Sequence, residues 1–351
     1  MLRGVNRYVR QHPGVQLVNF PIANATDLKL LPKEKLDGMV LNTYFANAPR
    51  LQQLGLPVVN VSTTHRGLPY KLVATDDGDI GRVAATHLLQ KGFRVFAFVG
   101  GAHAWSDQRL AGFTDTAERA LRGRATVHRW TTGDEDLATW LTKLPKPVGL
   151  MTANDAMATD VLLACRASGI DVPRQIAVVG VDDDELYCEV VSPPLTSIGQ
   201  QTERIGFLAA DALVKLINGK TVPAITLVAP GALVPRASTD AVAVDDALVE
   251  RAVRLMQSQL STGTNVKHVA AKLDVSRRAL ELRFRAAIGH TPGKHLLGLK
   301  VDHARLLLAS TDLPIGEIAR LAGFGPPIRM SQSFRRMTGQ SPTQYRAQFR
   351  L

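Results

Sequence analysis

The sequence predicts an α/β doubly wound domain joined to an all-α domain. Three observations predict this. Through residue 229, short β-rich runs alternate with helical stretches. Several of those runs are continuously apolar, which suits strands of a parallel sheet covered on both faces. From Ala247 onward the pattern is helical only. The charge divides at the same place: residues 247–351 hold 17 Lys/Arg against 6 Asp/Glu, so the chain's whole excess of +11 lies there, and residues 1–246 balance at 25 against 25. A neutral body with a basic end is the electrostatic footprint of a polyanion binder, most often of nucleic acid. A solvated basic face with no partner is the plain alternative.

In the first part, strands are expected at 16–20 (QLVNF), 37–42 (DGMVLN), 57–61 (PVVNV), 94–100 (RVFAFVG), 126–130 (TVHRW), 148–152 (VGLMT) and 176–181 (IAVVGV). Helical patterns lie between them, at 79–90, 109–121 and 155–168. No GxGxxG follows the first strand, so no dinucleotide site is indicated. Residues 230–246 carry Pro, Ser, Thr and Asp without periodicity and read as a closing strand or linker.

In the second part, Val266, Val269, Ala270 and Leu273 make one face of a short helix. Asp274 tolerates the left-handed turn that follows, and Ser276 is a good N-cap. The next helix buries Leu280 and Phe284 and turns Arg277, Arg278, Glu281, Arg283 and Arg285 outward. Two helices joined by a short turn, the second one basic, form a helix-turn-helix. The pattern recurs some fifty residues later. Ile315, Ile318, Ala319 and Ala322 make the first face, and Gly323 turns the chain. Met330 and Phe334 anchor the second helix, with Arg329, Ser331, Gln332, Arg335 and Arg336 outward. Thr291-Pro292 starts a connecting helix. Two such units on one connector suit successive major grooves, about 34 Å apart.

Composition limits the remaining function classes. The chain has 351 residues, is 45% hydrophobic and 21% charged, and has no apolar run long enough to span a membrane. No apolar signal core opens it, so a cytoplasmic location and no membrane partner are expected. Cys165 and Cys188 make neither a disulfide framework nor a zinc site and are expected as small core residues. No metal, no cofactor and no catalytic group are expected: His87, His103 and His128 lack ligand spacing with one another, and no GxSxG occurs.

Family resemblance enters on specific stretches. VSRRALELRF (275–284), GHTPGKHLLGLKVDHARLLL (289–308) and LPIGEIARLAGFGPPIRMSQSFRRMTGQSPTQYR (313–346) resemble the AraC/XylS-type DNA-binding domain. The resemblance implies base reading by Arg278, Glu281 and Leu282 in the first unit and by Pro327, Ile328 and Gln332 in the second. Leu282 stands where a basic residue is usual, Met330 replaces a usual aromatic, and Pro326-Pro327 stiffens the entry to the second reading helix. The stretches LDGMVL, ATDDGDIGRVAATHLLQKGFRVFAFVGG, WSDQRLAGF, TANDAMATDVLLACRASGIDVPRQIAVVGVDDDEL and LVPRASTD resemble the sugar-binding domain of LacI/GalR regulators, a two-lobed periplasmic-binding-protein-like fold.

The combined expectation is a sensor over residues 1–235, a linker at 236–248 and a DNA-binding domain at 249–351, with units at about 266–286 and 315–338. Polar residues at strand ends are the ligand candidates, because open α/β sheets bind ligands there. The resemblance implies Arg109, Asp155 and Asp182 as sugar ligands, with Asn42 and His65 behind them. Asn154 and Asp155 could equally be helix caps. For DNA the candidates are Arg277, Arg278, Glu281, Arg283, Arg329, Gln332, Arg335 and Arg336. The family begins with a strand that precedes the LRGVN stretch, so a start upstream of Met1 is expected. The expected partners are double-stranded DNA, a pentose-like sugar, RNA polymerase and a second copy of the chain. Two rivals stay open: a sugar- or phosphate-modifying enzyme with a helical appendage, and an architectural DNA binder without a ligand.

Overall fold

The computed structural model describes residues 1–19, 36–42, 55–64, 68–244 and 246–349. Two parallel sheets form two lobes. The first lobe holds β1 (Met39–Leu41), β2 (Val58–Asn60), β3 (Lys71–Thr75) and β9 (Ile225–Val228) in that spatial order, all parallel. Helices α1 (Leu2–Gln11) and α7 (Thr202–Ile217) belong to this lobe. Gly4 and Gly206 let their backbones touch, since a Cβ at either would overlap the facing main chain.

The second lobe is six-stranded: β10 (Leu233–Val234), β8 (Thr196–Gly199), β7 (Ile176–Asp182), β6 (Val148–Thr152), β4 (Val95–Gly100) and β5 (Thr126–Thr131). Only β10 runs antiparallel. The central strands are apolar along their length because both faces are covered. One face packs Phe96, Phe98 and Val179 against α2 (Asp77–Gln90) and α3 (Ala104–Leu121). The other packs Val99, Leu150 and Val178 against α4 (Leu137–Lys143) and α5 (Asp155–Ala167). Cys165 and Cys188, the latter on α6 (Glu185–Cys188), are buried and form no disulfide. Burial raises their thiols to about 11 and about 12, which keeps both protonated.

Among the described residues the chain crosses between the lobes at 75–77, 199–202 and 228–233. The crossings are tied together. Asp76 N–H donates to the Val228 carbonyl at 2.8 Å, and Gly231 N–H to that of Gly199 at 2.7 Å.

The helical domain is two compact units on one spine. Helices α8 (Ala247–Ser258), α9 (Val266–Lys272) and α10 (Arg277–Ile288) pack Val253, Val269, Leu280 and Phe284 with Leu296 of α11 (Pro292–Ser310). Helices α12 (Ile315–Leu321), α13 (Pro327–Thr338) and α14 (Pro342–Ala347) pack Ile318, Met330, Phe334 and Tyr345 with Val301, Ala304 and Leu308 from the other half of α11. The caps are written locally. Ser276, Thr291 and Ser341 each accept a first-turn N–H, and Pro292 and Pro342 sit at the first helical positions. Lys300 in mid-spine donates to the Thr264 carbonyl at 3.1 Å and the Gly323 carbonyl at 2.6 Å, one from each unit.

Two expectations need correction. Residues 16–19 are irregular, not the start of a strand, because no strand among the described residues offers them a ladder. Residues 236–244 are not a free linker. Ser238 and Thr239 are fully buried. The Ser238 hydroxyl donates to the Val178 carbonyl at 2.7 Å and accepts from Thr196 N–H at 2.8 Å. Ala243 N–H then donates to the Lys91 carbonyl at 2.8 Å, so the chain is held on the second lobe almost to α8.

Candidate ligand cleft and nucleic-acid interface

The cleft is built by a close helix crossing. Gly81 on α2 and Gly112 on α3 each face the other helix's backbone with no room for a Cβ. That approach sets Arg109 of α3 against Asp77 in the first turn of α2. Arg109 Nε donates to Asp77 Oδ1 at 2.9 Å, and its Nη2 lies 2.8 Å from the same oxygen. Both side chains are buried. Arg109 also donates to the Ala153 carbonyl at the end of β6 and lies 4.8 Å from the Trp105 ring centre. Thr63, beyond β2 in the other lobe, donates to Asp77 Oδ2 at 2.8 Å. The buried ion pair of the second lobe is therefore tied to the first lobe through the Thr63 hydroxyl.

A second link runs beside it. Thr75 at the end of β3 donates to Gln200 at 2.8 Å, and Gln200 donates to Asp182 at the end of β7. Asp182 and Asp183 have φ of 122° and 53°, a backbone conformation that disfavours side chains. The surrounding bonds hold this turn. Asp183 N–H donates to the Ser197 hydroxyl at 3.0 Å, and Arg236 lies 2.9 Å from the Asp183 carboxylate. Asp184 N–H donates to Asp155 Oδ2 at 3.0 Å, and the Ser197 hydroxyl to Asp155 Oδ1 at 2.6 Å.

Asp155 and Asp182 do different work. Asp155 is 1% exposed and both its oxygens are engaged. Burial raises its carboxyl to about 6 against the hydrogen bonds that lower it. It shapes the strained turn from behind. The cap of α5 is Asn154, whose side chain accepts from Met157 N–H at 2.9 Å. Asp182 is exposed at the residue level yet crowded by protein. Its carboxyl is raised, first by burial, while the Arg109 charge and the Gln200 hydrogen bond pull it down. Arg109, Asp155 and Asp182 thus come together. Asn42 lies exposed just past β1, and His65 falls outside the described residues. Asp77 and Gln200 escaped the sequence reading. Their signals are the second Asp of ATDDGD, which the cap at Asp76 leaves over, and a Gln placed directly after a strand. Among the described residues no His/Cys/Asp/Glu group suits a metal ion.

Helix α2 connects this cleft to the helical domain. Asp77 is at its start, and at its end Gln90 donates to Asp302 of the spine at 2.8 Å. Arg94 donates to the Ala287 carbonyl of α10 at 3.0 Å.

On α10 the buried line is Leu280, Phe284 and Ile288, so at 100° per residue Leu282 points away from it and Arg278, one turn earlier, lies beside Leu282. Arg277 and Glu281 lie on one flank and pair with each other at 2.8 Å. Arg283 lies on the other flank, half-exposed and already paired within the protein. Its guanidinium grips Asp246, the cap of α8, through two bonds of 2.7 Å, because that flank faces α8. On α13 Pro327, Ile328, Arg329, Gln332, Arg335 and Arg336 are all exposed. A cleft of about 310 Å³ between α11 and α13 is lined by Lys300, Phe324, Arg329 and Gln332. Among the described residues no helix is long and apolar enough to cross a membrane.

Comparison with known proteins finds relatives for both domains. A periplasmic-binding-protein-like domain model matches residues 85–239, and a helix-turn-helix domain model matches residues 269–348. The xylose operon regulatory protein of Escherichia coli K12 is 30% identical over 313 residues, covering 84% of this chain and 80% of that protein. Its counterpart in Haemophilus influenzae is 32% identical over 315 residues, covering 84% and 81%. A solved structure of the xylose-binding transcription activator xylR is 27% identical with a TM-score of 0.58, covering 99% of this chain and 93% of that one. A transcriptional regulator CelR–cellobiose complex is 27% identical with a TM-score of 0.56, covering 68% of this chain.

Proposed function

We infer the function from one premise: the chain belongs to the xylose operon regulatory protein family, transcription regulators that carry a periplasmic-binding-protein-like domain before a helix-turn-helix DNA-binding domain. The effector is a pentose, D-xylose or a close relative, bound between the two lobes. The bound chain activates a carbohydrate operon from the cytoplasm, as a homodimer on paired DNA sites, in contact with RNA polymerase. It performs no catalytic step. The observation that carries this reading is the gathering of Arg109, Asp77, Asp182 and Gln200 where the lobes meet. Carboxylates accept sugar hydroxyls, and a guanidinium fork donates to them. Asp182 is the accessible acceptor. Arg109 contributes the N–H groups that Asp77 and Ala153 do not use, and Asp155 positions the turn that carries Asp182.

Ligand closure changes the relation of the two lobes, and α2 transmits that change to the spine through Gln90 and Asp302. The ligand shifts the equilibrium only as far as it binds one arrangement more tightly. Arg278, Gln332, Arg329, Arg335 and Arg336 face DNA, Arg277 and Glu281 flank the reading surface, and Arg283 is a clamp. Titration calorimetry of the full chain with D-xylose, L-arabinose, D-ribose, D-glucose and D-galactose tests this. D-xylose binding that Asp182→Ala abolishes supports the reading. No heat with any sugar, from a chain that still binds DNA, overturns it.

A further inference from the structure

The two reading helices are internal copies with an offset of fifty residues. Leu280 and Phe284 correspond to Met330 and Phe334, and the left-handed caps Gly289 and Gly339 close both helices. The offset fixes which outward side chains are equivalent. Arg278 corresponds to Ile328, and Leu282 to Gln332. Within each helix the two residues lie one turn apart on the face opposite the buried anchors. At these two positions each helix therefore presents one polar and one apolar side chain, in opposite order.

The apolar member is open in both cases: Leu282 is 72% exposed and Ile328 is 64% exposed. Single exposed apolar residues are ordinary on a protein surface. These two stand at the places where the sister helix carries a base-reading Arg or Gln. In the major groove, arginine pairs with guanine and glutamine with adenine, while the thymine 5-methyl is the apolar group a base edge offers. Phosphate oxygens give an isobutyl or sec-butyl group nothing equivalent.

We propose that Leu282 and Ile328 each read a thymine through its 5-methyl group. This rests on the DNA-reading role of the two helices. The first half of the site then carries guanine at Arg278 and thymine one helical turn on at Leu282. The second half carries thymine at Ile328 and adenine at Gln332.

The test begins with the full chain enriching sites from a random duplex library. Each thymine of the enriched site is then replaced by deoxyuridine, which lacks only the methyl group. The expected result is a loss of about fourfold in affinity at one thymine in each half, the value for one buried methyl. Leu282→Ala abolishes the sensitivity in one half and Ile328→Ala in the other; both residues are exposed, so neither change threatens the fold. No methyl-sensitive thymine, or sensitivity that survives both alanine variants, overturns the proposal. So does unchanged DNA affinity with lost transcription, which makes these residues a protein-docking surface. Failure to enrich any sequence is a separate outcome and overturns the reading role of the helices themselves.

Discussion

Replacing Arg109 by methionine separates its structural work from its ligand work. The guanidinium and the Asp77 carboxylate are 5% and 3% exposed and 2.8 Å apart. Methionine keeps the apolar stem and deletes the charge, which leaves the buried Asp77 carboxylate with the Thr63 hydroxyl as its side-chain donor among the described residues. Breaking a buried pair from one side costs about 3–5 kcal/mol. Asp77→Asn alone strands the guanidinium and has a cost of the same order. The double variant strands neither charge, and replacement of a whole buried pair is often near neutral. The double variant should therefore sit well above the sum of the two singles, by at least about 2 kcal/mol of coupling. Urea unfolding followed by tryptophan emission measures this, because Trp105, Trp130 and Trp140 all lie in the six-stranded lobe. The folded double variant should still fail to bind D-xylose, since the proposed sugar site draws on the N–H groups of Arg109. Additive losses, or a cost under about 1 kcal/mol for Arg109→Met, would refute the reasoning.

Four further predictions concern the helical domain. Gly323 and Gly325 have φ of 74° and 71°, but only at Gly323 does a Cβ overlap a neighbour, the Leu260 carbonyl. Gly325→Ala should cost about 1 kcal/mol and Gly323→Ala about 1–3 kcal/mol more by denaturation, and equal losses would contradict this. His295 is 2% exposed with both ring nitrogens unpaired, and burial lowers it from 6.5 to about 3. The fold thus excludes the proton that the unfolded chain binds, so stability falls as pH drops below about 6.5. The share of His295 in that loss between pH 7 and pH 5 is about 2 kcal/mol. His295→Leu should remove that share of the slope and leave the share of His87, which burial likewise lowers to about 3; an unchanged slope would contradict this. Arg278→Ala should change base preference at one position by about 1–3 kcal/mol. Arg283→Ala should leave base preference intact while loosening α8, and a preference change there would return Arg283 to the reading surface.

The helical domain was the more legible part because its signals are local. Ser276, Thr291-Pro292, Gly289 and Gly339 are caps that act within a few residues, and the buried pairs repeat at helical spacing. The sensor's central strands were legible for the same reason, as unbroken apolar runs. Strands β3, β8 and β9 were not, because runs of four or five residues with Thr or Ser inside carry little periodicity. At the cleft, strand ends pointed to Arg109, Asp155 and Asp182, but not to their roles. Those depend on partners far along the chain: Asp77 stands 32 residues from Arg109, and Ser197 stands 42 from Asp155. Arg283 looked like its basic neighbours because Asp246 lies 37 residues away.

The central claim is that sugar binding in the cleft and DNA binding by the paired helices are coupled. Linkage tests it directly: the affinity of the full chain for its enriched duplex is measured with and without saturating D-xylose, and its D-xylose affinity with and without that duplex. The account predicts equal factors in the two directions, as thermodynamic reciprocity requires. D-xylose binding that leaves DNA affinity unchanged would contradict it.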